Sequence, residues 1–197
     1  MPEGATFRFP PGPATLAGDG VFLRRSAARH VDLLIEASHD AEIIRWTRMR
    51  ENLDRDTARV LLGHWQSRVK DGSLRQYVVS RDAKDAPVGL ASLILQDAAD
   101  PFSADVVYWL LPRGRRLGLV TGAVRLLLRW AFETTPLRRA VLYTLEGNQP
   151  SERVAQRCGF RFDRLVDDTR EERILRLNRW ELGSGRHNYE GFHPPPS

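Results

Sequence analysis

Cysteine occurs once in this chain, as Cys158, so neither an internal disulfide nor a multi-cysteine metal site is open to it. The histidines (His30, His39, His64, His187 and His193) show no HExxH or comparable ligand spacing, so no metal is expected. No apolar run reaches the ~18 residues of a membrane helix, so no membrane partner is expected. The first twenty residues lack a basic start followed by an apolar core, so no secretory signal is expected there. Lysine is nearly missing, with Lys70 and Lys84 the only two, and arginine supplies almost all of the positive charge. Internal repeats and low-complexity runs are missing between residues 21 and 182.

What is present describes a globular protein. The 197 residues fit one domain or two small ones, and 42% hydrophobic with 28% charged residues is an ordinary folded balance. Together these features lead to the expectation of a soluble, cytoplasmic protein. The net charge of +5 raises the question of a nucleic-acid partner. Yet the arginines are scattered among similar numbers of Asp and Glu, and abundant Arg, Ala and Leu together are what G- and C-biased codons produce. A solvated arginine-rich surface is the favoured reading, with nucleic acid kept as a competing one. One local cluster survives the discount: Arg113, Arg115 and Arg116.

Residues 1–20 carry several Pro and Gly and read as a loose arm, and residues 183–197 read as a polar tail. Between them, residues 21–182 alternate helix-like and strand-like segments. Strands are expected at Val21–Arg25, Gln76–Ser80, Val88–Leu95, Val106–Leu111, Arg139–Leu145, Phe160–Leu165 and Arg173–Trp180. Helices are expected at Ala27–Ala37, Ala41–Thr47, Asp54–Lys70, Leu119–Phe132 and Ser151–Cys158. Val106–Leu111 is nearly continuous in apolar residues, as in a strand buried on both faces. In the next helix Val120, Val124, Leu127, Leu128 and Ala131 share a face. Strand, helix and strand in this order make a βαβ unit with a parallel strand pair. The expected class is α/β, a mixed sheet wrapped by helices.

The link between that strand and helix reads PRGRRLGLVTG, residues 112–122. A loop entering a helix exposes unpaired N–H groups at the positive end of the helix dipole, which suits an anion. Gly118 allows close backbone approach, and Arg115 and Arg116 add charge. A pyrophosphate cradle and an ordinary strand–helix turn with solvated arginines both remain open on this loop alone. It is neither a P-loop nor a dinucleotide fingerprint. Gly118 and Gly122 also form a GxxxG spacing, but the surrounding arginines exclude a membrane helix.

The stretch Arg115-Arg116-Leu117-Gly118-Leu119-Val120 resembles motif A of the GNAT acyltransferases, Arg/Gln-x-x-Gly-x-Gly/Ala. The preceding Val107-Tyr108-Trp109-Leu110-Leu111-Pro112 and the following Thr121-Gly122-Ala123-Val124 extend the likeness. Asn148-Gln149-Pro150-Ser151 with Val154–Phe160 is similar to the family's Asn-x-x-Ser…Gly-Phe segment. Asp40-Ala41-Glu42-Ile43-Ile44-Arg45-Trp46-Thr47 resembles the subfamily of ribosomal-protein N-terminal (alanine) acetyltransferases. Val120 replaces the usual small residue, and Arg116 stands where many relatives have Gly.

The resemblance implies a single-domain fold with a mostly antiparallel mixed sheet and a central, splayed parallel pair flanked by helices. It implies acetyl-CoA as co-substrate, with its pyrophosphate on the amides of Arg115, Arg116, Leu117, Gly118, Leu119 and Val120. Leu110 and Leu111 would offer backbone groups to the pantetheine and thioester, and Asn148 and Ser151 would contact the pantetheine arm or sulfur. Many relatives protonate the leaving thiolate from a Tyr on the last helix. Here no Tyr lies between residues 149 and 160, which leaves Ser151 as the acid candidate in that slot. Asp105 and Glu146 are the base candidates, and both also read as solvated strand-end carboxylates. The implied activity is acetyl transfer to a primary amine, such as a peptide N-terminus. A small-molecule amine or antibiotic acceptor and a catalytically silent acyl-CoA-binding module stay open, as does a homodimer.

Overall fold

The computed structural model describes residues 7–95, 100–170 and 173–185. His187, His193 and most of the expected tail lie outside them. The described chain forms one eight-stranded sheet, β1 (Thr15–Gly18), β2 (Val21–Arg25), β3 (Leu74–Ser80), β4 (Gly89–Leu95), β5 (Ser103–Leu110), β6 (Arg139–Leu145), β7 (Arg161–Arg170) and β8 (Arg173–Gly183). The strand order is β1-β2-β3-β4-β5-β6-β8-β7. Every neighbouring pair is antiparallel except β5 and β6. The helices are α1 (Val31–Ala37), α2 (Ala41–Trp46), α3 (Arg55–Lys70), α4 (Leu119–Thr134) and α5 (Gln149–Arg157). The sheet, the parallel pair and the helix that joins its strands follow the expected α/β class.

Alternation along β5 sends side chains to two separate cores. Ala104, Val106 and Leu110 join the cluster under α4, whereas Trp109 and Leu111 join the one formed with α1 and α3. On α4 the expected stripe is present: Val124, Leu127, Leu128 and Ala131 are buried, and Val120 is half-buried. The buried surface is wider than expected because the turn between β1 and β2 covers a second side. A Cβ at Gly122 would lie 3.0 Å from Val21 Cγ1 and 3.3 Å from Asp19 O, so this glycine permits a close helix–turn contact.

Residues 7–20 are not loose. Thr15–Gly18 pairs with β2, and Phe7 and Phe9 are buried in the α4-side core. Buried Arg75 holds this segment from below, donating to the carbonyls of Phe9 and Pro10, the latter at 2.7 Å. Tyr77 adds a hydroxyl bond to Pro13 O at 3.0 Å. Prolines that suggest an arm instead shape an edge segment whose carbonyls are satisfied by side chains.

The pairing of β5 decides where the site lies. Against β4 it is in register from Gly89↔Leu110 to Leu95↔Ala104. Against β6 only Ser103↔Arg139, Ala104↔Ala140 and Asp105↔Val141 are paired. Beyond Asp105 the two parallel strands diverge: β5 stays buried on both faces, as its composition suggests, at Val106, Trp109 and Leu110, but not at Val107. Val107 is 39% exposed for this reason.

Candidate active site

The divergence of β5 from β6 opens a cavity of about 1370 Å3 that continues between α2 and β7. Backbone groups of β5 face it as well as side chains. Leu111 N–H donates to Val88 O at 2.8 Å, on the β4 side. In a strand the backbone groups alternate sides, so those of Val106, Tyr108 and Leu110 point the other way, toward the gap left by β6. Leu111 therefore contributes no free backbone group: its carbonyl also accepts from Gly114 N–H at 2.9 Å, and its side chain is buried. Of the two expected pantetheine partners, Leu110 lines the cavity and Leu111 does not.

After β5 a short 3-10 turn, Pro112–Gly114, leads into a loop with two left-handed residues, Arg116 at φ +63 and Gly118 at φ +76. A left-handed non-glycine residue costs ~1–2 kcal/mol, so the loop holds Arg116 in a strained turn immediately before the helix. Gly118 is the N-cap of α4, and the first helical bond runs from Gly122 N–H to Gly118 O at 3.1 Å. The N–H groups ahead of Gly122 thus face outward at the helix start. A Cβ built on Gly118 meets nothing within 4 Å, so glycine is needed there for its φ and open space lies in front of it. Gly118, Leu119, Val120 and Thr121 line the cavity, while Leu117 is 55% exposed and lies outside the lining. Val120 both lines the cavity and packs against the α4-side core.

The three clustered arginines have separate fates. Arg113 pairs with Glu36 and donates to Pro87 O at 3.1 Å. Arg115 donates from Nε to Leu110 O at 3.0 Å and pairs with Asp40, the N-cap of α2. Its guanidinium is a strut between loop and helix rather than a loose charge. Arg116 lines the cavity with no ion-pair partner among the described residues. Arg153 and Arg157, one turn apart on α5, add charge at the same end.

On the opposite wall, Asn148 caps α5, its Oδ1 accepting from Ser151 N–H at 3.2 Å. Ser151 Oγ lies 2.7 Å from the hydroxyl of Tyr108, which crosses from β5. Burial pushes the Tyr108 phenol well above its ordinary range. In sequence Tyr108 is one residue of an apolar strand, and no spacing signal pairs it with Ser151. Cys158 is packed rather than reactive, its thiol pushed up to about 12 by burial and its Sγ 3.7 Å from Thr121 O.

The two base candidates are separated. Asp105 lines the cavity on the face away from α4, together with Val107. Glu146 is exposed beyond the end of β6 and lies outside the lining, because the chain has already turned toward α5. Farther out, Glu42 and Trp46 of α2 face Val166, Asp167 and Asp168 of β7. Arg48 Nη2 reaches across to both Asp168 oxygens, at 2.8 and 2.7 Å, and arches over this end. Arg179 forms part of the floor, paired with Asp163 and Glu181; burial opposes its charge, but hydrogen bonds to Tyr143, Glu181 and Asp163 together raise its pKa. Among the described residues no cluster of His, Cys, Asp and Glu can hold a metal ion, and no helix is long and apolar enough to cross a membrane.

Comparison with known proteins agrees with this geometry. The family profile described as "Acetyltransferase (GNAT) domain" matches residues 21–161. YdaF of Bacillus subtilis (strain 168), provisionally named a ribosomal N-acetyltransferase, is 35% identical over 57 residues, which span 29% of this chain and 31% of that protein. Among solved structures, the ribosomal L7/L12 α-N-protein acetyltransferase RimL in complex with coenzyme A superposes with a TM-score of 0.76 at 16% identity, covering 86% of this chain and 97% of that one. Spermidine N-acetyltransferase from Vibrio cholerae, in complex with CoA and spermine, superposes with a TM-score of 0.71 at 16% identity, covering 86% and 98%.

Proposed function

The chain belongs to the GNAT acetyltransferase family, and we propose that it transfers an acetyl group from acetyl-CoA to the α-amine of a peptide or protein N-terminus in the cytoplasm. One observation carries this reading: the gap between β5 and β6 is flanked by the open helix start at Gly118 on one side and by Asn148 and Ser151 on the other. Charge is divided along it. Arg116, Arg153 and Arg157 line it without an acidic partner among the described residues, whereas Glu42, Asp105 and Asp167 share the α2–β7 end with the ion-paired Arg48, Arg164 and Arg179. A homodimer is compatible with the same reading, and sedimentation of the free chain reads it directly.

In this reading the amides of Arg116, Gly118, Leu119 and Val120 receive the pyrophosphate, the Arg115 N–H being taken by Pro112 O at 3.2 Å, and the Leu110 N–H polarises the thioester carbonyl. Asn148 holds the start of α5 against the pantetheine arm. Asp105, the base candidate inside the cavity, accepts the proton that the attacking amine releases. Little base strength is required. Deprotonating a lysine-type amine at neutral pH costs ~4 kcal/mol, from about three pK units at ~1.36 kcal/mol each, whereas an α-amine with pKa near ~7.7–8 costs about 1 kcal/mol. The likeness to proteins named for ribosomal acceptors leans the same way.

The test compares two peptides that differ only in a blocked N-terminus or a blocked lysine, following thiol release from acetyl-CoA at pH 7 and pH 9. The free N-terminus should react faster at pH 7, with the gap narrowing at pH 9 as lysine loses its proton. Equal rates at pH 7, or a preference for lysine, would contradict the acceptor. The acidic residues at the outer end also suit a small polyamine, which is the second reading, and faster thiol release with spermine than with either peptide would favour it. No thiol release with any amine, despite donor binding, would point to the non-catalytic module.

A further inference from the structure

Tyr108 and Ser151 are 43 residues apart in sequence, yet their hydroxyl oxygens meet at 2.7 Å in the wall of the cavity. The helix that carries Ser151 has no tyrosine of its own, and the phenol reaches this place from the neighbouring strand. We infer that Tyr108 is a positioning residue: its hydroxyl donates to Ser151 Oγ, so that the single Ser151 hydrogen is turned into the cavity to hydrogen-bond the departing sulfur. This inference rests on the acyl-transfer reading above.

The geometry supports the direction of the bond. A hydroxyl carries one hydrogen and two acceptor sites. A phenol with a buried tip needs a partner, and Ser151 Oγ supplies it. The nearby Cys158 Sγ is directed to Thr121 O, so it does not compete. A serine hydroxyl can otherwise donate to a nearby backbone carbonyl. Once Tyr108 occupies one Oγ acceptor site, the Ser151 hydrogen is excluded from that axis and the cavity side is left for it. Burial keeps the phenol protonated throughout the neutral range, so the donor persists wherever the enzyme works.

The chemistry this serves is charge stabilisation rather than proton donation. As the amine nitrogen attacks, the new N–C bond forms, the C–S bond breaks, and its electron pair leaves on sulfur. The proton shed by the amine passes through Asp105 or water and ends on sulfur, giving the free thiol. Ser151 keeps its own proton, because a thiolate of pKa ~8.5 does not deprotonate an alcohol at neutral pH. What Ser151 supplies is a hydrogen bond to a group becoming negative, the kind of bond that is stronger than a neutral one. This replaces the acid role expected for Ser151 from its position alone.

The experiment uses the full chain with Tyr108→Phe, Ser151→Ala, the double variant and Ser151→Thr. Turnover, the Michaelis constant for acetyl-CoA, and the ultraviolet thiolate absorbance of bound CoA across pH are read for each. Each single variant should lose about ten-fold in turnover, with the Michaelis constant for acetyl-CoA changed by no more than about two-fold. The double variant should lose no more than Ser151→Ala alone, since both act through one hydrogen. Bound CoA should hold its thiol proton to a pH about one unit higher in Tyr108→Phe than in the wild type, and Ser151→Thr should retain most of the activity. Additive losses, wild-type turnover in Tyr108→Phe, or an unmoved thiol titration would overturn the inference while leaving the acyl-transfer reading intact. A wild-type chain that neither binds CoA nor releases thiol would overturn both.

Discussion

Asp40 Oδ1 accepts both the Arg115 guanidinium and, at 2.8 Å, the N–H of Ile43, so one carboxylate caps α2 and anchors the glycine loop. With side-chain exposures of 13% for Asp40 and 32% for Arg115, the pair is better shielded than an ordinary surface bridge. Arg115 then serves the donor site by holding the loop in shape. Arg115→Ala and Asp40→Ala should both raise the Michaelis constant for acetyl-CoA several-fold while turnover stays within about two-fold. Asp40→Ala should also destabilise the fold by about 1 kcal/mol through the lost cap. Steady-state kinetics and denaturant melts read both. An Asp40→Ala enzyme with normal donor affinity would mean that Arg115 acts by direct contact with phosphate instead.

The arch between Arg48 and Asp168 narrows the acceptor end. Arg48 is 70% exposed and Asp168 18% exposed, and such pairs contribute roughly 0–1 kcal/mol, so breaking this one should hardly affect stability. Arg48→Ala should instead increase the relative rate with branched, bulky amines and leave the Michaelis constant for acetyl-CoA unchanged. The charge-reversed pair Arg48→Asp with Asp168→Arg should restore the narrower selectivity. Identical acceptor profiles across the three proteins would remove the arch from any role in acceptor choice.

His30 gives the fold a pH dependence of definite sign. Burial, with Arg29 and Arg24 nearby, lowers its pKa from 6.5 to about 4, while its Nδ1 accepts Ala27 N–H at 3.0 Å. Between these values the unfolded chain binds a proton that the folded one refuses, so stability is full above pH 6.5 and falls as pH drops toward 4. The loss is at most about 3 kcal/mol, from about 1.36 kcal/mol per unit. Urea unfolding at pH 7 and pH 5 should show about 2 kcal/mol of this loss in the wild type and a smaller one in His30→Asn, which keeps an acceptor without titrating in this range. Equal drops in both proteins would assign the pH dependence elsewhere.

The fold was legible wherever local pattern and tertiary demand coincide. The strands Val21–Arg25 and Arg139–Leu145 lie where their alternation puts them, and α4 shows its apolar stripe. Pairing over distance was not legible. The strand at Thr15–Gly18 is short and proline-flanked, and it exists because β2 and Arg75 hold it. The exposure of Val107 follows from the loss of β6 after Asp105, which composition does not encode. At the site, Gly118 was readable as the glycine of a loop entering a helix, while its left-handed φ came only with the fold. The strut from Arg115 to Asp40 and the contact of Tyr108 with Ser151 join distant segments that only the folded sheet brings together. Glu146 and Leu111 fell outside the cavity for a related reason: strand parity and the turn into α5, rather than residue type, decide which groups face it.

The most direct test of the central claim is calorimetric titration of acetyl-CoA into the wild type and Gly118→Asp. The substituted side chain must take a left-handed conformation and sets a carboxylate before the open amides of α4, where a phosphate is to sit. The fold should survive, since the change lies in a loop with nothing within 4 Å of the new Cβ. Saturable binding to the wild type and none to a folded Gly118→Asp protein is the predicted result. Equal affinity in the two would contradict the assignment of this helix start, and with it the acetyl-CoA site between β5 and β6.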